Sequence, residues 1–145
     1  MKSLLIFSSL FILFFSSCDI RNSEQKKNNP ALANVDTMPP TTVKIIDTTY
    51  DFKNIKEGEI VEYNYRFQNI GNKPLVIQNA VASCGCIVPE KPDHAIAPGE
   101  TGSIKVKFNS DRRPGQAHKT ITINSNARPE FPLLILKGEV IGKSE

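Results

Sequence analysis

From Ile60 to Asn69 the chain alternates: Val61, Tyr63, Tyr65 and Phe67 are apolar or aromatic, and Glu62, Asn64, Arg66 and Gln68 between them are polar. A period of two sends the two sets to opposite faces of a strand and does not fit the 3.6-residue period of a helix. One aromatic face on a half-buried strand needs a second layer to cover it. Each large side chain fully buried there contributes about 1.5 to 3 kcal/mol.

The rest of the segment from Thr42 onward follows the same rule. Val43 to Asp47 reads as a short first strand, and Thr49 to Phe52 as a second edge piece. Glu57-Gly58-Glu59 turns the chain into the alternating strand, and Ile70-Gly71-Asn72-Lys73-Pro74 turns it out again. Leu75, Ile77 and Val81 mark the strand that follows, opened by Pro74 where a missing N-H does least harm. After Ile87 the chain loosens through Pro89 to Pro92. Ala97-Pro98-Gly99-Glu100 fits a type II turn, with Pro presetting the first bend and Gly accepting the positive φ. Ile104, Val106 and Phe108 then form an inward face, Asp111 to Gly115 is another Pro-Gly turn, and Ile121 and Ile123 form the next inward face. That strand ends in the polar pair Ser125-Asn126. Phe131 to Val140 is apolar on both faces through Leu133-Leu134-Ile135-Leu136, either as a central strand or as one flanked by loops. About seven strands at short spacing, without an amphipathic helical stretch, predict an all-β, immunoglobulin-like antiparallel sandwich. The Cys-Trp-Cys pattern of antibody domains is missing, and Trp is absent from the 145 residues.

The N-terminus reads as targeting rather than fold. Met1-Lys2 is a positive start, Leu4 to Phe15 is a nearly unbroken apolar run, and Phe15-Ser16-Ser17-Cys18 follows. The run is shorter than the about 20 residues a membrane-spanning helix needs. Residues 1–17 are therefore expected to be a signal peptide cleaved before Cys18. The arrangement resembles a bacterial lipobox, which implies that Cys18 is lipidated and becomes the new N-terminus. Ordinary secretion with Cys18 as a spare thiol is the alternative. Residues 18–41, polar and closed by Met38-Pro39-Pro40, read as a flexible tether, leaving 42–145 as the folded domain. Loss of Lys2 leaves 17 basic residues against 15 acidic ones, too small an excess to argue for nucleic acid.

Processing also leaves two cysteines, in the stretch Ser83-Cys84-Gly85-Cys86. In an extended strand both sulfurs share one face, and closing a bridge requires a local turn. Three readings follow: a bridge under strain and easily reduced, a reduced pair acting as soft metal ligands, or a structural pair packed beneath a loop. Two thiolates with His94 or His118 would suit copper(I) or zinc, although a single C-x-C lacks the second pair that completes four ligands. Cys84 can also be written as a thiol nucleophile with His94 as its base, but nothing orients that histidine. Glu57, Glu59 and Asp93 read as turn and surface residues.

Several separated motifs carry a resemblance. Phe67 to Ile77, then Ser83-Cys84-Gly85-Cys86, then Ile96-Ala97-Pro98-Gly99-Glu100, and finally Ser125-Asn126 are similar to domain-of-unknown-function family 1573. Ile87 departs from it, standing where the family often carries a threonine. The resemblance spans about Tyr50 to Val140. It implies an exported bacterial domain, often a lipoprotein, with an immunoglobulin-like fold related to chaperone and sperm-protein sandwiches, and it brings no established activity. The expected protein is a non-catalytic binding module, lipid-anchored to a membrane of the bacterial cell envelope and holding an envelope protein partner. The alternative is a soft-metal (copper or zinc) or thiol-redox protein built on Cys84 and Cys86.

Overall fold

The computed structural model describes residues 37–143. The signal peptide, Cys18 and most of the tether lie outside the described residues. Eight strands follow one another: β1 (Val43–Ile45), β2 (Thr49–Lys56), β3 (Ile60–Asn69), β4 (Ile77–Ala82), β5 (Ile87–Glu90), β6 (Thr101–Asn109), β7 (Gly115–Ser125) and β8 (Leu134–Ile141). They form two four-stranded sheets, ordered β1-β3-β6-β5 and β2-β8-β7-β4. In immunoglobulin lettering the first sheet reads A-B-E-D and the second contains G-F-C, with β2 added outside G.

The pairing is not wholly antiparallel, because β2 runs parallel to β8. The first extended run divides between the sheets. Its β1 half pairs antiparallel with β3, and its β2 half continues onto the other sheet, where β8 points the same way. Alternation shows which side chains face inward but says nothing of a partner's direction.

The inner faces are the expected ones. Val106, Phe108, Ile104, Ile121, Leu134 and Leu136 are buried, as are Tyr65 and Phe67. Tyr65 spans the layers, donating its hydroxyl to the Ile135 carbonyl at 2.7 Å. Burial of that phenol pushes its pKa well above the usual range. On the β1/β2 side, Tyr50 of one sheet stacks on Tyr63 of the other at 3.9 Å between ring centroids. β8 is central, between β2 and β7, but only its inner face is buried, through Leu134, Leu136 and Val140, while Leu133 just before it is exposed.

Two local expectations are corrected. Pro89 lies in β5 rather than in a loop. Asn109 N-H donates to the Cys86 carbonyl, so by alternation Val88 and Glu90 bond to β6 while Pro89 directs its missing N-H away from it. Val81, expected to share an inward face with Leu75 and Ile77, is 48% exposed while those two are buried. A register shift between Ile77 and Asn79 flips the parity of β4, so Ala80 and Ala82 face the core instead.

Strand directions define two ends. Asn69, Thr101, Ser125 and the starts of β1 and β4 gather at one, where the chain arrives from the N-terminal side. The turns at Glu57-Gly58, Ser110 to Pro114 and the end of β8 lie at the other, and the β4-β5 connection opens toward it.

Candidate functional site

Ser83 to Cys86 forms the turn that carries the chain from β4 in one sheet to β5 in the other. Both flanks are held by backbone bonds: Ser83 N-H to the Thr120 carbonyl at 2.9 Å, Ile87 N-H to the Cys84 carbonyl at 3.3 Å, and Asn109 N-H to the Cys86 carbonyl at 3.0 Å. The Ser83 hydroxyl accepts from Thr120 N-H at 3.1 Å. This turning brings the Cys84 and Cys86 Cα atoms to 5.3 Å, and the structure joins the sulfurs in a disulfide. The separation lies in the usual disulfide range. Cys86 is 5% exposed and packs in the core cluster, whereas Cys84 is half-buried at its margin. Gly85 between them is exposed, and a Cβ placed on it would meet nothing within 4 Å.

The bridge closes a loop of only three residues, so the chain-entropy relation assigns it about 1.6 kcal/mol. A domain of this size has about 5 to 15 kcal/mol in total. Replacing both cysteines with serine should therefore lower stability by about 1 to 2 kcal/mol and leave the sheet signal in circular dichroism intact. Urea denaturation of the two proteins measures it, and loss of folding would show that the bridge is a main staple.

The histidines are elsewhere. His94 lies in the loop after β5, with Nδ1 at 2.9 Å from Asp93 Oδ1 and Nε2 at 3.4 Å from Glu100 Oε1. The Asp93 carboxylate, then that of Glu100, raises its pKa above the ordinary 6.5. The charged contact is therefore fully present below pH 6.5 and is lost as pH rises through the higher folded value. Following His94 by NMR should give a midpoint above 6.5 that moves down in Asp93→Asn; an unmoved midpoint would remove Asp93 as the main cause. His94 borders a cleft of about 330 Å³ with Glu90, Lys91, Lys105 and Thr101. His118 points outward from β7 into a separate open hollow of about 480 Å³, beside Asp51, Lys53, Lys137 and Glu139.

The proposed copper or zinc ligand set of Cys84, Cys86, His94 and His118 is thus not assembled. The sulfurs are bonded to each other, and His94 is engaged by carboxylates. Among the described residues no group of three or more His, Cys, Asp and Glu is placed to hold a metal ion. Nor is His94 bonded to Cys84 as a base would be; its two ring nitrogens face Asp93 and Glu100.

The residues that do converge are polar and buried, at the end where the chain arrives. Asn69 is fully buried; its Nδ2 donates to the carbonyls of Lys73 at 2.8 Å and Ile96 at 2.9 Å, and its Oδ1 accepts from the Thr41 hydroxyl at 2.9 Å and Gly71 N-H at 3.1 Å. Asn126 does the same for other loops, donating to Pro39 O at 2.9 Å and Pro74 O at 3.0 Å and accepting from Val76 N-H at 2.9 Å. Pro39 and Thr41, assigned to the tether, are therefore docked on the domain. Gly71 is required here because a Cβ would come to 2.6 Å from Thr42 N. Sequence reasoning missed this cluster, although parity marks Asn69 in it and Ser125 beside Asn126. Asn69 continues the inward series Val61, Tyr63, Tyr65, Phe67, and Ser125 continues Ile121, Ile123.

The motifs that prompted the family resemblance are thus distributed between this asparagine cluster and the disulfide turn. The family described as "Protein of unknown function (DUF1573)" matches residues 43–140. The chain belongs to this family. Among solved structures, this DUF1573 domain is similar to a protein of unknown function from Porphyromonas gingivalis W83, at 18% identity and a TM-score of 0.56. The alignment covers 79% of this chain and 51% of that one, so the chain spans about half the length of that relative. It is also similar to PapD-like domain 7 of human CEP192, at 15% identity and a TM-score of 0.55, covering 78% of this chain and 95% of that domain. Part of the secreted serine protease VesC from Vibrio cholerae matches at 14% identity and a TM-score of 0.52, over 69% of this chain and 23% of that one. At these identities the likeness shows the fold. A search of curated protein sequences finds no match.

Proposed function

We propose that this DUF1573 domain is a non-catalytic binding module, anchored through lipidated Cys18 to a membrane of the bacterial envelope, which presents its disulfide turn to an envelope protein. The observation that carries the reading is directional. The chain arriving from the tether is pinned by Asn69 and Asn126 at one end of the sandwich, and the Cys84–Cys86 turn opens toward the other. An anchor at the first end leaves the second free to face outward.

The manner of binding follows from the strand edges. On the side formed by β4 and β5, three outward backbone positions offer no free donor, while by the same alternation Ala82 N-H still faces outward. Ala80 N-H is bonded by the Asn79 side chain at 2.9 Å, Ile87 N-H by the Cys84 carbonyl, and Pro89 has none. Such an edge resists adding a further strand. The partner is instead held by the turn surface and by exposed Val81 and Val88 on either side of it.

The test is photo-crosslinking in intact cells that make the full protein. A crosslinking residue at Gly85 is expected to give a discrete protein adduct, and one at Asn72, by the docked tether, is not. A Cys18→Ser version should lose both the incorporated fatty acid and membrane retention. The same adducts from both positions would overturn the orientation, and fatty-acid labelling that survives Cys18→Ser would overturn the anchor.

A further inference from the structure

We propose that the Cys84–Cys86 bridge is a thiol-exchange site that donates its disulfide to reduced polypeptides carrying two nearby thiols. Four observations point to it. The bridge is local, closing three residues, so the ladders and core that define the sandwich do not depend on it. Its flanks are fixed by bonds to β6 and β7 that involve no sulfur, so the two thiols of the reduced form remain neighbours and can close again. Gly85 between the cysteines is exposed and a side chain there would meet nothing within 4 Å, so the turn itself is uncovered. Finally the two sulfurs differ in access: Cys84 is half-buried and Cys86 is sealed in the core.

That asymmetry sets the order of events. A client thiolate attacks Cys84 Sγ, a client sulfur–Cys84 bond forms, the Cys84–Cys86 bond breaks, and its electron pair leaves on Cys86 as a thiolate. Apolar surroundings disfavour that charge, so Cys86 attacks back and expels a client that has nothing further to offer. A client with a second thiol escapes this reversal. Its second thiolate attacks its own sulfur in the mixed disulfide and releases Cys84. The client is oxidised to a disulfide, Cys84 and Cys86 are reduced, and two protons pass to the two cysteines. One molecule oxidises one dithiol; a further round needs a disulfide oxidant to close the pair.

The full chain, purified with the bridge closed, is mixed with a reduced peptide carrying two cysteines or with glutathione at equal thiol concentration. Samples are quenched in acid and alkylated. The proteolytic fragment holding Cys84 and Cys86 is weighed, and circular dichroism is recorded alongside. The expected result is one peptide disulfide formed per bridge opened, at least tenfold faster than opening by glutathione, with the sheet signal unchanged. With the oxidised peptide, Cys86→Ser should accumulate a mixed disulfide at Cys84, while Cys84→Ser should not. Equal rates with both reductants would overturn the dithiol preference. A bridge that opens only in denaturant, or a sheet signal lost on reduction, would make it a structural clasp and overturn the proposal.

Discussion

Asn69→Ala should lower the stability of the domain by about 3 to 5 kcal/mol. The side chain is fully buried and makes four hydrogen bonds, to two carbonyls, one backbone N-H and the Thr41 hydroxyl. A buried polar group left without its partner costs about 1 to 3 kcal/mol, and alanine strands several at once. Water entering the vacated space offsets part of this, which keeps the expected loss near that of one large core truncation. Two readouts separate it from a simple cavity. Urea denaturation measures the loss, and hydrogen exchange should rise at Gly71, whose N-H is shared between the Asn69 Oδ1 and the Thr42 carbonyl, before it rises at the β7 amides, which follow only global unfolding. Asn69→Asp keeps the Oδ1 acceptor but sets a buried carboxylate against the Lys73 and Ile96 carbonyls, losing both donors and adding a charge. It should be no better tolerated than alanine. A variant within 1 kcal/mol of the parent would show that the loops at this end hold themselves.

How far the fold was legible follows from the same residues. Alternation in β3, β6 and β7 identified the inner faces because each side chain there answers to a single rule, apolar inward. The rule fails where backbone geometry intervenes. One extra residue near Gln78 reversed the parity of β4 and turned Val81 outward, and no side chain announces it. Pro89 argued against a strand at Ile87–Glu90, yet at an outer edge its missing N-H has no partner to lose. The parallel pairing of β2 with β8 joins Thr49 to Ile135, far apart in sequence, and pattern alone carries no direction. For the candidate site, the spacing of Cys84 and Cys86 was legible, including the turn that a bridge would need. Asn126 reads in the sequence as a polar strand end and Asn69 only as the last residue of its strand, because their burial depends on carbonyls from Lys73, Ile96, Pro39 and Pro74, contributed by separate loops.

Gly138→Ala is expected to cost about 3 kcal/mol, and the reason joins β2 to β8. Gly138 has φ +154°, in the region that favours glycine, and its vacant side faces the core. Phe52 occupies that side, and a Cβ on Gly138 would collide with the Phe52 ring and come to 2.7 Å from the Lys53 carbonyl. Overpacking of a filled core costs about 1 to 3 kcal/mol, and the unfavourable φ adds about 1 kcal/mol or more. The ring cannot retreat easily, because it packs against Phe108 at 5.6 Å between centroids. Nor can β2 slide, since the shift between Asp51 and Asn54, with Lys53 at φ 61°, is what lets Ile55 follow Tyr50 and Phe52 into the core. A double-mutant cycle separates the two contributions. Phe52→Ala alone should cost about 3 to 5 kcal/mol as a large-to-small change. Combined with Gly138→Ala it should cost less than the sum by at least 1 kcal/mol, because the clash is then relieved and only the backbone contribution and the Lys53 contact remain. Strict additivity in urea denaturation would instead assign the whole effect of Gly138→Ala to the backbone, leaving Phe52 as a neighbour that merely fills the space.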